Sequence, residues 1–418
     1  MKILLMSDTH LGFGAGRERE DDCFLTFREG ITEGMDSDAI LMAGDVFDTR
    51  TPSNETFAKA METLLMAKSG DGARILGPID KDLQNEVRGI PVIAIHGNHE
   101  RRVKGLVNPV EALERGGFLV HLHCNGIILR KKNSLPTSTS EAETELVAIQ
   151  GMSAVPGQYA EAALKEWNPK PLKNCYNILM IHQNLEGFLF TEEPLPKESL
   201  PPGFDLYICG DIHDQAKAEI HGKPLILPGS TISTQVRKES ALPRSFCRID
   251  TASGSIETIP FRDQRKILYG EFQEPGKAEE FVRACIQENS EVQFKPIIKL
   301  RTSFNPEELK KRFPGIIASQ NLSDADARSG ISPVSAEERL NIATLSGKKI
   351  LEKNLQEAGL DRPTFEGVFD LLLEKRHEDA LNILRKKEKV KDAPGGEGNR
   401  EGGEGGKAIP QPEGIGNT

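Results

Sequence analysis

The sequence predicts an α/β protein, with sheets packed between helical layers, then a smaller unit and a helical C-terminal stretch. Three observations lead there. Short apolar runs alternate with amphipathic stretches over residues 1 to about 260. Many of those runs are apolar at nearly every position, as strands buried on both faces are. Asp, His and Asn recur directly after the runs end, where open α/β sheets gather ligands.

The expected strands are Lys2–Met6, Ala39–Met42, Val92–Ile95, Gly126–Arg130, Glu145–Ile149, Asn177–Ile181, Asp205–Cys209, Pro224–Leu227 and Phe246–Ile249. Glu20–Gly34 sets Phe24, Phe27 and Ile31 on one helical face, and Asn54–Lys68 does the same with Phe57, Met61, Leu64 and Leu65. Residues 131–145 are polar and rich in Ser and Thr, and read as an inserted loop. From about Arg262, strand-like Lys266–Phe272 and Pro296–Ser303 alternate with helical Lys277–Gln287 and Asn305–Arg312. Asn305 and Pro306 supply the cap and first turn of the last helix. After a polar break at Ser319–Ser332, a helical stretch follows in which Phe365, Val368, Phe369 and Leu372 share one stripe. Residues 392–418 contain nine glycines and no aromatic, too little apolar surface to offset ordering entropy, so disorder is expected there. The expected organisation is 1–261, 262–320, 333–391 and 392–418.

Composition excludes some classes. Hydrophobic content of 37% with 28% charged residues fits a soluble folded chain. No run of eighteen apolar residues suggests a membrane span, and the apolar start Ile3–Met6 is too short for a signal-peptide core, so a cytoplasmic protein is expected. The six cysteines are scattered without a CxxC pair and are expected to be reduced. A net charge of −10 argues against a surface that grips nucleic acid everywhere. Local basic ridges remain open, because polyanion binding depends on where charge sits.

The chemistry lies in five loops. Asp8-Thr9-His10 follows the first strand, Gly44-Asp45-Val46-Phe47-Asp48 the second and Gly97-Asn98-His99-Glu100 the third. His182 follows Asn177–Ile181, and Gly210-Asp211-Ile212-His213 follows Asp205–Cys209. Oxygen and imidazole donors without thiolates suit Mn, Fe or Zn rather than a thiolate-type structural zinc. Two such ions clamp the attacking and leaving oxygens of one phosphoryl displacement. Taken singly, each motif has a plainer explanation. An Asp-x-His pair is often a turn or cap, Gly-Asp and Gly-Asn are common turn formers, and a lone His is usually surface or satisfied core. Five such loops in order, each after an apolar strand, make coincidence a poor account.

At these residues the chain resembles the calcineurin-like metallophosphoesterases, whose motifs run DxH, GDxxD, GNHE, H and GHxH. Finer features resemble the SbcD branch, known in eukaryotes and archaea as the Mre-eleven nucleases. They are the start from Lys2 to Gly12, the block Gly44–Ser53, Ile181-His182-Gln183, and Pro228–Thr234. Lys295–Arg301 is similar to a strand of that family's DNA-capping domain. The resemblance covers roughly residues 1–310. It implies a two-sheet sandwich flanked by helices, a small α+β capping domain and a C-terminal helical segment. It further implies a first metal held by Asp8, His10 and His213 with Asp45 bridging, and a second held by Asp45, Asn98, His182 and Asp211. His99 matches the catalytic histidine, and Asp48 supports the ligands. The implied cofactors are two Mn2+ ions, with Mg2+ or Fe2+ as substitutes. One position departs from the pattern: Asp211 stands where GHxH carries histidine, though a carboxylate still ligates a hard cation.

The function implied is a Mn-dependent double-strand exonuclease and single-strand endonuclease acting on DNA ends in double-strand-break repair. Its partner would be an SbcC-type, SMC-like ABC ATPase docked on Phe365–Leu384, and the protein would be a nucleoid-associated homodimer joined through Asn54–Lys68 and Pro109–Arg115. Arg50, Arg101, Arg102 and Lys104 flank the metal loops and, with Ser230, are the expected DNA contacts. A small-substrate metallophosphodiesterase and a non-catalytic DNA-end scaffold are the other readings. Activity on small diesters marks the first, and metal stoichiometry separates the second.

Overall fold

The computed structural model describes residues 1–82, 87–102, 105–131, 145–188, 193–236, 242–290 and 294–320, all within one compact unit, Met1–Ile331. Lys104, most of the expected inserted loop, the helical stretch 333–391 and the tail 392–418 lie outside the described residues.

Two sheets dominate. The first runs β13 (Ser255–Pro260), β12 (Ser245–Asp250), β1 (Lys2–Met6), β2 (Ala39–Ala43), β4 (Val92–Ile95), β5 (Val120–His121). The second runs β10 (Ala216–Ile220), β11 (Lys223–Leu227), β9 (Leu206–Gly210), β8 (Tyr176–His182), β7 (Leu146–Met152), β6 (Asn125–Arg130), β3 (Arg74–Ile79). Strands β1, β2, β4 and β5 are mutually parallel, as are β7, β8, β9 and β11. Parallel neighbours need crossovers, which α1 (Asp22–Glu33), α2 (Asn54–Lys68) and α4 (Gly157–Trp167) provide. Helix α3 (Pro109–Arg115) precedes β5, capped by Asn108 Oδ1 on Glu111 N at 2.9 Å.

Alternation along the strands explains the layering. Ile3 and Leu5 of β1 face the second sheet and meet Ile178, Met180, Leu206 and Ile208. Leu4 and Met6 face the other way, onto Phe27 and Ile31 of α1 and Leu64 of α2. Leu179 and Ile181 of β8 pack outward against Ala160 and Leu164 of α4. Each such side chain stabilises the fold by about 1.5–3 kcal/mol on full burial. The result is a helix–sheet–sheet–helix sandwich, as the motif resemblance implied.

The nine strands expected for this region all form. Four others, β3, β5, β10 and β13, were not foreseen, and they are the four sheet edges. β3 alternates exposed and half-buried residues and contains Gly77 and Pro78, the pattern of a strand with one partner. Helix α4 was also not foreseen.

A third sheet of parallel strands, β14 (Ile267–Phe272), β15 (Ile297–Thr302) and β16 (Ile317–Gln320), packs with α5 (Pro275–Glu288) and α6 (Glu307–Arg312) around Ala278, Val282, Leu300 and Leu309. α6 starts two residues later than expected, because Asn305 Oδ1 accepts from Glu307 N at 3.1 Å.

Candidate metal centre

The loops after β1, β2, β4, β8 and β9 meet at one end of the sandwich. Asp8, His10, Asp45 and His213 bring one ligand atom each to within 4.8 Å of one another, and so do Asp45, His182 and Asp211. Asp45 belongs to both groups. Its Oδ2 lies 3.9 Å from His10 Nε2, while its Oδ1 lies 3.6 Å from His182 Nε2. The two oxygens of one carboxylate therefore serve the two halves.

The backbone is bent to achieve this. Asp8, His10, Asp45 and Asp211 all have positive φ, of 52°, 44°, 45° and 78°, a region non-glycine residues seldom occupy. Such strain persists where surrounding structure over-determines it. Here Asp8 N donates to Gly44 O and His10 N to Asp45 O, each at 2.9 Å, so the first two loops lock each other. Gly44, at φ 97°, leaves room for His182, whose Nδ1 a Cβ there would overlap. Gly97 likewise makes room for the Asp45 carboxylate.

Several donors are aimed and unspent. His182 Nδ1 donates to Ala43 O at 2.7 Å, which turns Nε2 into the site, where it is buried without a hydrogen-bond partner. Asp8 Oδ2 accepts from Ser7 Oγ at 2.5 Å, and Asp8 Oδ1 is buried and unpartnered. His10 Nε2 and His213 Nε2 face each other at 3.1 Å. Asn98 Nδ2 donates to Asp211 Oδ1 at 2.9 Å, placing that amide beside the second group. Buried polar atoms without partners are costly, so a cation shared among them fits the donor set.

The electrostatics agree. Burial pushes Asp8 up to about 6 against the pull of His182, and burial also raises Asp211. Burial alone would raise Asp45 as well, but His182 and then His10 hold it well below the carboxylate range. His182 is correspondingly held well above its ordinary value, chiefly by Asp45 overcoming burial. The clustered acids demand positive charge. Burial and His10 push His213 down to about 4, toward the neutral imidazole that a metal site requires.

His99 lies on the rim, 42% exposed. Its Nδ1 donates to Asp48 O at 2.9 Å, leaving Nε2 directed to the cluster, 3.9 Å from Asp45 Oδ2. Asp48 Oδ1 approaches His10 Nδ1 to 3.2 Å, and His10, Asp48 and His99 form a further close group. A second histidine cluster nearby is spent on itself, with His96 Nδ1 and His121 Nε2 hydrogen-bonded at 2.9 Å.

A family model described as calcineurin-like phosphoesterase matches residues 1–215, just over half of the chain. The chain belongs to the calcineurin-like phosphoesterase family. The DNA double-strand break repair protein Mre11 of Methanopyrus kandleri is 28% identical over 241 residues, covering 55% of this chain and 48% of that protein. The double-strand break repair protein MRE11 of Encephalitozoon cuniculi is 28% identical over 253 residues, covering 56% and 43%. That of Mus musculus is 25% identical over 298 residues, covering 64% and 42%. The chain thus spans less than half the length of these relatives, whose names are those to which the motif resemblance led.

Within this phosphoesterase centre the expected DNA contacts divide. Arg50 is exposed, and Arg101 and Arg102 are half-buried. Ser230 has no surface to offer. It is 1% exposed, and its hydroxyl lies 2.8 Å from Asp8 O and 2.7 Å from Ile232 O. It holds the Asp8 loop instead, a use of serine that sequence cannot distinguish from phosphate contact.

Glu100 ends the Gly97–Glu100 motif, and its sequence position carries no predicted role. Its buried carboxylate accepts from Phe47 N and Gly97 N, both at 2.6 Å, and clasps the second and third loops together. Burial and Asp45 push it up to about 8 despite those bonds. Glu100→Ala should strand two buried N–H groups at roughly 1–3 kcal/mol each. Urea unfolding of the variant in chelator should show that loss; an unchanged midpoint would refute the clasp.

Proposed function

We propose that this chain is a divalent-metal-dependent DNA nuclease that processes ends at double-strand breaks. The observation that carries this reading is the pair of ligand groups sharing Asp45, with buried unpartnered donors turned into them. Similarity to double-strand break repair proteins supports DNA as substrate. In the finer reading, Asp8, His10, Asp45 and His213 would hold one Mn2+, and Asp45, Asn98, His182 and Asp211 would hold another. Bound ions would supply Lewis-acid activation of water and charge neutralisation at phosphorus. The residues do the rest. Asp45 draws the two halves together, and the strained loops keep ligand atoms in place before substrate arrives. His99 Nε2, with Nδ1 anchored on Asp48 O, is positioned to pass a proton to the leaving oxygen. Arg50, Arg101 and Arg102 would take phosphates beside the site.

The same reading includes an SMC-like ABC ATPase partner, a homodimer and association with the nucleoid. No helix among the described residues is long and apolar enough to cross a membrane. The deciding experiment is cleavage of end-labelled duplex DNA with Mn2+, with and without the ATPase. Degradation from the ends is expected. Hydrolysis of small diesters with indifference to DNA would favour a small-substrate phosphodiesterase, and DNA-end binding with a sub-stoichiometric metal content and no hydrolysis would favour a scaffold.

Asp211 allows a sharper test. Its Oδ1 lies 3.7 Å from His182 Nε2 and within hydrogen-bond reach of Asn98. Asp211→Ala should lose one Mn2+ per chain, and cleavage with it. A carboxylate in place of imidazole should also favour Mn2+ over Zn2+. A variant that keeps both ions would show Asp211 to be only a turn residue.

A further inference from the structure

The loop Pro228–Val236 touches the Asp8–His213 half of the centre at three points. Ser230 Oγ bonds Asp8 O, Ser230 N donates to His213 O at 3.0 Å, and Thr234 Oγ1 lies 3.2 Å from His213 Nδ1. Arg244 braces the same place. Its guanidinium donates to His213 O at 2.6 Å and to Ser233 Oγ at 2.9 Å. No comparable contact reaches the Asp211 side among the described residues.

The three-stranded subdomain grips that loop from the other direction. Lys299 of β15 donates to Val236 O. A second arm starts at Arg265, which donates to Asp22 Oδ1 at 2.9 Å and to Lys295 O at 2.8 Å. Asp22 also accepts from Arg19 Nε at 2.9 Å, and Arg19 Nη2 donates to Ser233 O at 2.6 Å. Arg265 and Asp22 are only 6% and 4% exposed, so the centre of this arm is buried, and Arg19, 19% exposed, carries it to the loop.

We propose that Arg244 and Thr234 are positioning residues for the His213 metal site, and that loop Pro228–Val236 carries the seating of the three-stranded subdomain into that site alone. The proposal rests on the metal-centre reading and deepens it. A ligating histidine takes its orientation from the partner on its other ring nitrogen, and here that partner rides on a loop held by the subdomain. By reciprocity, filling the His213 site steadies the subdomain as much as the subdomain steadies the site.

The test is titration of the full chain with Mn2+ alone, followed by calorimetry. The Asp211→Ala background isolates the His213 ion. Thr234→Val should weaken that ion about 10–100-fold, the range for loss of a ligand's outer partner. Lys299→Met, which touches no ligand, should weaken the same ion about tenfold, and Lys299→Arg should restore it. Asp22→Asn, loosening the other arm, should act like Lys299→Met. Combining Thr234→Val with Lys299→Met should be little worse than Thr234→Val, because both act through one loop. In the unaltered chain, Lys299→Met should leave the second ion untouched. Parental affinity for both ions in Lys299→Met and Asp22→Asn, or equal weakening of both, overturns the coupling. A parent chain that binds no Mn2+ overturns the metal reading itself, a different result.

Discussion

Asp45→Asn should bind neither metal ion with parental affinity and should leave DNA cleavage at background. The expectation follows from the two faces of one carboxylate, Oδ2 toward His10 and Oδ1 toward His182. Asparagine keeps the shape and one oxygen, so the acceptor for His99 N at 3.0 Å survives. It loses the negative charge and the second candidate ligand oxygen, and with them what would let two cations sit side by side. Fluorescence-detected or calorimetric Mn2+ titration should show both ions weakened together, with the chelated melting temperature reporting the fold. A variant that holds one ion at parental strength would show that Asp45 serves one half only.

His99→Ala should lose on the order of 10²–10⁴-fold in cleavage rate, the span typical of a single general acid, while retaining both ions. The ring stands on the rim, anchored by Asp48 O and exposed enough to reach a substrate. Its closeness to His10 and Asp48 gives the opposing reading, a ligand role. Metal content decides between them. If Mn2+ stoichiometry falls in His99→Ala, the proton-transfer role is wrong and His99 is a ligand. If cleavage survives with both ions bound, another group protonates the leaving oxygen. Single-turnover rates at saturating DNA keep a binding defect from passing as a chemical one.

The interior of the sheets was legible in the sequence. All nine expected strands of the first 260 residues are interior strands of the two sheets, from β1 to β12. Both faces of an interior strand are buried, so the requirement for apolar residues is written at nearly every position. The candidate ligand residues were legible for a related reason. A buried strand that stops abruptly at Asp, His or Asn marks the point where chemistry replaces packing.

The edges were not legible. β3, β5, β10 and β13 each have one hydrogen-bonding neighbour, and most of their residues need not be apolar. Nor did any local signal reveal which side chains would hold others in place. Glu100, Thr234 and Arg244 act on residues 53, 21 and 31 positions away, respectively. Ser230 reads the same in sequence whether it meets solvent or Asp8 O, 222 residues distant. The sequence alone thus determined which strands are buried and which residue types end them in the loops that meet at the candidate site. Only the tertiary structure decided that the loops are clasped by Glu100 and braced by Arg244. The reason is physical: burial and strand termination are local demands on residue type, whereas hydrogen-bond partnership depends on which distant backbone the fold brings within 3 Å.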